Sequence, residues 1–263
     1  MARVIAIANQ KGGVGKTTTS SNLGMALAER GRRTLLVDLD PQAALSAGFG
    51  IDVYALEKSI YDALLHDHET PLASVRYNLR PNLDIIPANI DLAAAEIELV
   101  VMMGRESVLR EALEPIANEY EYIVIDTPPS LGLLTVNALV VADELIVPLQ
   151  CEYLAMRGVR VLLDTIWKVK RKLNPRLDLL GILPTMYRSR STHSQEVLEE
   201  VRTIFGDKVF DIVIGNSVRF AEAPVAQQTI LEYEPRHAGA KAYRDLAEVV
   251  DGKKEIITEG QGG

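Results

Sequence analysis

The 263-residue chain has a single cysteine, Cys151. It can form no intrachain disulfide, which fits a reducing cytoplasm. One thiol per chain also leaves a dimer two short of the four that an intersubunit iron–sulfur cluster requires. Four histidines, His66, His68, His193 and His237, lack metal-ligand spacing and read as surface or capping residues. Aromatic residues make up only 5%, with one tryptophan, Trp167, set in an apolar helical pattern that reads as packing. No apolar run is long enough to span a membrane, and residues 1–8 lack the apolar core and cleavage site of a secretory signal. A Pro/Gly/Ser-rich linker, an internal repeat and low-complexity sequence are missing as well, apart from the polar stretch 251–263, which reads as a disordered tail. Residues 1–250 are therefore expected to form one domain, with 48% hydrophobic content to fill a large core.

What the chain does have is a glycine-rich loop near its start. The apolar run Val4-Ile5-Ala6-Ile7-Ala8 leads into Lys11-Gly12-Gly13-Val14-Gly15-Lys16-Thr17-Thr18, and a helical stretch follows. A strand–loop–helix of this composition is a phosphate-binding loop. Its glycines turn backbone N–H groups toward the phosphates, Lys16 reaches the β- and γ-phosphates, and the Thr17 hydroxyl holds Mg²⁺. The helix N-terminus adds a favourable dipole. The loop departs from the usual pattern at Lys11, a second lysine ahead of Lys16. A cation beside a loop already served by one lysine suggests a charge meant for the nucleotide of a facing subunit.

Two later apolar runs end in carboxylates. Thr34-Leu35-Leu36-Val37-Asp38-Leu39-Asp40 and Tyr122-Ile123-Val124-Ile125-Asp126 have the character of strands buried on both faces of a parallel sheet. Ligands of such sheets lie beyond the carboxyl ends of the strands, so Asp38, Asp40 and Asp126 should converge on the loop. Asp126 is then placed to bind Mg²⁺ through water, Asp38 to support the loop and the outer shell of the metal, and Asp40 to orient the attacking water. The alternation of strands and helices predicts an α/β, doubly wound, mainly parallel sheet flanked by helices. Strands are expected near 3–8, 33–38, 83–87, 121–126, 144–149, 178–184 and 208–214. Helices are expected near 16–30, 57–66, 92–102, 105–119, 131–141, 157–173, 192–205 and 239–250.

The strings Asn9–Thr18, Asp38-Leu39-Asp40-Pro41-Gln42 and Asp126-Thr127-Pro128-Pro129-Ser130 resemble the deviant P-loop ATPases of the ParA/MinD group, and within it the Soj-like ParA proteins. The likeness runs from about residue 3 to about residue 250. It implies ATP and Mg²⁺ as cofactors and a homodimer formed as an ATP sandwich, with Lys11 acting across the interface like an arginine finger. It further implies nonspecific DNA as a ligand, a ParB-type protein with a basic segment as activator, slow intrinsic hydrolysis and a nucleoid-associated, cytoplasmic location. Met186 is expected to flank the adenine.

The net charge of −8 does not draw the whole protein to DNA. Between Arg157 and Arg190, however, nine basic residues face only Asp164 and Asp178. Arg188, Arg190 and, further on, Arg219 are the expected DNA-binding residues, making contacts that neutralise phosphates without reading sequence. Close relatives carry Pro-Arg-Asn ahead of the last of these, where this chain has Gly215-Asn216-Ser217. A MinD-like membrane switch would need a basic amphipathic C-terminal helix, and residues 252–260 are too short, too rich in glutamate to be basic, and glycine-rich. A ParA-like ATPase that positions a protein cargo is not separable from a DNA segregator at this level.

Overall fold

The strands form where apolar side chains are continuous, and helices cover both faces that such strands expose. The structure, a computed structural model, describes residues 2–65, 69–151 and 155–259. Strands β1 (Arg3–Ile7), β2 (Thr34–Asp38), β3 (Tyr77–Arg80), β4 (Leu83–Ile86), β5 (Tyr122–Asp126), β6 (Glu144–Gln150) and β7 (Asp178–Thr185) pair in the order β3-β4-β2-β5-β1-β6-β7. All neighbouring pairs are parallel except β3 with β4. Alternate residues feed two cores. Val4, Ala6, Leu35, Val37, Ile123 and Ile125 pack on one face, and Ile5, Ile7, Leu36, Val124 and Ile146 on the other.

The helices are α1 (Lys16–Glu29), α2 (Ala44–Gly48), α3 (Ile60–Leu65), α4 (Leu92–Glu98), α5 (Val108–Leu113), α6 (Leu133–Val141), α7 (Ala155–Lys172), α8 (Thr192–Phe205), α9 (Arg219–Val225), α10 (Ile230–Tyr233) and α11 (Ala238–Glu259). The second core joins α1 to α11 through Leu23, Leu27, Tyr243, Leu246 and Val250, while α3 to α8 cover the first. Helices on both faces of a parallel sheet make the doubly wound architecture expected from the alternation.

Three expectations need correction. Residues 208–214 form no strand: Phe210 N and Ile214 N donate to Ile182 O and Pro184 O, and only isolated bridges join Val209 to Ile182 and Gly215 to Tyr187. The Pro184 carbonyl faces this segment, so its missing N–H is the donor a ladder would need there. Trp167 does not pack inside. It is 60% exposed, with the Arg171 guanidinium 5.0 Å from its ring centre. Finally, α11 runs through the boundary expected at 250. Asp251, a residue of this helix, is buried, and Arg30 and Arg32 approach its carboxylate at 3.1 and 2.9 Å while the Tyr122 hydroxyl donates to it at 2.9 Å. His66 and His68 lie outside the described residues, as do the side chains of Arg157 and Arg160 and the last residues, 260–263.

Burial alone would raise the Asp251 carboxyl, but Arg32, Tyr122 and Arg30 more than offset it and hold it below its ordinary value. Asp251→Ala should therefore cost about 2 kcal/mol of folding stability at pH 7, the range for hydrogen bonds to a charged group. A carboxyl held low in the native state contributes above its unfolded value and loses that contribution as pH falls through the native one. Urea titrations of the two proteins should converge in acid, and coincident midpoints at pH 7 would refute the anchoring role.

Candidate nucleotide site

Strand order brings the carboxyl ends of β2, β5 and β1 side by side, and the glycine loop rises from the end of β1. Gly13 and Gly15 sit at φ 71° and 88°, in left-handed conformations that glycine adopts without strain. The loop is tied from below: Asn9 donates to Pro148 O at 2.7 Å and accepts from Lys11 N at 3.0 Å, while the Thr185 hydroxyl donates to Val14 O at 2.8 Å. Helix α1 starts at Lys16 without a side-chain cap. Its first N–H groups are therefore available to an anion, as phosphate loops require.

Asp38 and Asp126 are register partners on β2 and β5, and both are completely buried. The Asp38 carboxylate accepts from Ser46 N at 3.0 Å, the Ser46 hydroxyl at 2.7 Å and Asp40 N at 3.1 Å. Asp126 accepts from the hydroxyls of Thr17 at 2.8 Å and Ser20 at 2.9 Å. Burial pushes both carboxyls up, and for Asp126 the neighbouring Asp38 pushes further in the same direction. Lys16 is buried above them; burial lowers its ammonium, and Asp126 and Asp40 pull it back up. The result is a site rich in buried negative charge facing one lysine, which favours a cation. Among the described residues no three metal-ligating side chains cluster. Mg²⁺ shared with phosphates needs only one or two protein oxygens, so Thr17 with Asp126 fits that ion.

Asp40 shares the cleft with Gly12, Gly13, Gly15, Lys16, Thr17, Thr18, Pro129 and Met186. One of its carboxylate oxygens accepts from Gln42 N at 3.0 Å. Met186, held at φ 51°, also borders an adjoining hollow with Ile214, Gly215, Asn216, Ser217 and Phe220. Lys11 lies at the rim, where its ammonium donates to Gln150 Oε1 at 2.9 Å at the end of β6. Sequence reasoning missed Ser20, Ser46, Gln150 and Thr185. Ser20 follows Lys16 by one helical turn and was legible in principle, Ser46 returns to Asp38 through the turn that follows Asp40, and Gln150 and Thr185 meet the site only through tertiary folding.

Residues 2–179 match the family described as AAA domain. Soj, the sporulation initiation inhibitor protein of Bacillus subtilis, is 48% identical over 95% of this chain and 98% of its own. The chromosome partitioning protein ParA of Caulobacter vibrioides is 50% identical over 94% of this chain and 93% of its own. The chain belongs to the ParA/Soj family of partitioning ATPases. Among solved structures, a Mycobacterium smegmatis protein described as cobyrinic acid a,c-diamide synthase, with bound ADP and magnesium, is 44% identical at a TM-score of 0.84, covering 94% of this chain and 93% of that one. An McdA–ATP complex from Cyanothece shares the fold at a TM-score of 0.85 and 22% identity.

The basic residues of this ParA-family ATPase are not equivalent. Arg188 and Arg190 are exposed in the loop after β7, without an ion-pair partner among the described residues. Arg219 is exposed but engaged by Glu222 at 2.7 Å and Glu234 at 3.1 Å, so its charge is compensated in place. Lys170 and Lys208 share Asp178. No helix among the described residues is long and apolar enough to cross a membrane.

A carboxyl whose native value is raised binds its proton more readily when folded, so it subtracts stability once pH climbs above the unfolded value. Asp126→Asn should therefore raise the Tm of the nucleotide-free protein at pH 8 by about 2–4 °C, corresponding to about 1 kcal/mol in a chain of this size. The advantage should shrink toward pH 4, and magnesium-dependent ATP turnover should collapse. An unchanged Tm at pH 8 would contradict the charge frustration described above.

Proposed function

We propose that this ATPase is a nucleotide-gated partitioning switch. Two chains close around two ATP molecules, the dimer holds nonspecific DNA, and a ParB-type protein stimulates hydrolysis and release. The observation that carries this reading is the pair of lysines on one loop. Lys16 is buried over the carboxylates at the head of α1, and Lys11 stands at the rim with its ammonium at the end of β6. Lys16 serves the phosphates of its own chain. Lys11, on leaving Gln150, would reach those of the partner.

Phosphoryl transfer depends on positioning and on stabilising the charge that spreads over the γ-phosphoryl oxygens. Loop N–H groups from Gly12 to Thr18 and the Lys16 ammonium hold the phosphates. Bound Mg²⁺ would neutralise the β- and γ-oxygens, ligated by Thr17, with Asp126 acting through water and Asp38 behind it. Asp40 orients water through the oxygen not taken by Gln42. The hollow past Met186 would take the purine, and Arg188 and Arg190, exposed in the loop after β7, would contact DNA phosphates. Side-by-side patches in a dimer would double those contacts and couple ATP binding to DNA binding.

Duplex DNA of arbitrary sequence should be retarded only with ATP–Mg²⁺, not with ADP–Mg²⁺ or without nucleotide, and retardation should fall steeply with salt. Asp40→Ala should retain the DNA-bound dimer while hydrolysis drops by roughly a hundredfold or more, the scale of a lost positioning group. Nucleotide-independent retardation would overturn the gating. Lys11→Ala should keep the monomer fold and lose ATP-dependent dimerisation in sedimentation, and a normally active variant would remove Lys11 from the interface.

A further inference from the structure

The nucleotide cleft uses the carboxyl ends of the strands and leaves the opposite end of the sheet unexplained. There a hollow of about 350 Å³ opens, as roomy as the nucleotide cleft at about 310 Å³. Its floor is apolar: Val4 comes from β1, Leu113 from α5, Ile123 from β5 and Val141 from the last turn of α6. The first three are buried core residues. Water held over such a floor gains little from it, and an apolar body would displace it favourably. Small-molecule sites have this size and character, mostly apolar with a few polar groups that fix orientation.

The edge of the hollow carries both signs of charge, and part of it is already committed. The Asp143 carboxylate accepts from Val4 N at 2.9 Å, and Glu111 accepts from the Ser107 hydroxyl at 2.9 Å. Arg110 and Arg176 also line the hollow. Both are exposed, and neither has an ion-pair partner among the described residues. Arg176 precedes β7 whereas Arg188 and Arg190 follow it, so Arg176 stands at the far end of that strand from the surface assigned to DNA. Glu114, likewise unpaired among the described residues, stands against these two cations.

We propose that this hollow binds a small organic acid with an apolar body and a single carboxylate. The body lies over Val4, Leu113 and Ile123, and the carboxylate meets Arg176 and Arg110 at the edge. A guanidinium suits a planar carboxylate because it offers parallel, charge-assisted N–H donors. The three acidic side chains on the same edge select against a doubly charged phosphate, and the two arginines select against an amine. The site stands apart from the switch reading, since it needs neither ATP, DNA nor a second subunit.

Decanoate is the probe, titrated calorimetrically into the full chain with ADP–Mg²⁺ present to occupy the nucleotide cleft. It should bind once per chain and at least about tenfold more tightly than decylamine, which has the same body and the opposite charge. Octanoate, shorter by two methylenes, should bind about tenfold more weakly than decanoate. Arg110→Gln with Arg176→Gln should lower decanoate affinity about tenfold or more. Ala117→Phe, which fills the hollow from its wall, should abolish binding. The arginine pair is exposed, so that variant keeps the test intact even where Ala117→Phe fails to fold. Equal binding of decanoate and decylamine, the absence of saturable decanoate binding, or an unchanged affinity in the arginine variant would overturn the proposal.

Discussion

Asp38 and Asp126 stand opposite each other on adjacent parallel strands, buried and pushed toward protonation, and much of the site is arranged to compensate them. Ser46 supplies two donors to one, Thr17 and Ser20 supply two hydroxyls to the other, and Lys16 lies above the pair. Burying like charges side by side is costly unless they are hydrogen-bonded or matched by a cation. A fixed internal cation would make the site self-sufficient. Leaving the match incomplete makes the site favourable for a dication, at a cost in folding stability at this one place.

The same logic extends outward through the backbone. Ala43, at φ 50°, precedes α2, and Ala43 N donates to Asp40 O at 2.8 Å. That tight turn carries the chain from Asp40 to Ser46, so a left-handed alanine positions the donors of Asp38. Met186, also left-handed, turns the chain away from β7 where the cleft meets its neighbouring hollow. Left-handed residues that are not glycine are uncommon, and of the four among the described residues Met186 lines the cleft and Ala43 sits in the turn behind Asp40, whereas Asn82 and Gln227 lie in turns elsewhere.

How much of this was legible in sequence depended on range. The continuous runs of β1, β2 and β5 and their terminal carboxylates could be read because burial on both faces leaves a local signature. The β3 strand could not, since Tyr77-Asn78-Leu79-Arg80 is a polar edge whose only local mark is the turn at Pro81 and Asn82. Residues 208–214 looked like a strand because they are apolar, but pairing depends on the neighbour, and Pro184 removes the donor. Trp167 followed an apolar periodicity and still lies outside, while Leu162, Ile166 and Val169 take the buried face of α7. Gln150 joins Lys11 across 139 positions, a contact that no local pattern announces, and Ser46 reaches Asp38 eight residues back only through the left-handed turn at Ala43. Lys11 was found by its motif, yet its resting partner Gln150 was not.

Charge is distributed so that assembly matters more than any one side chain. Arg219 is answered by two glutamates, and Lys170 and Lys208 share one aspartate. Of the three arginines expected to meet DNA, Arg188 and Arg190 are left to do so on a single chain, and two contacts made in physiological salt give weak binding. Joining two such surfaces multiplies their binding constants through a high effective concentration, so a sparse patch gives a steeper difference between monomer and dimer than a dense one. A dense patch would hold DNA before the nucleotide arrived. The ion pairs that weaken this surface are therefore what would let ATP control it.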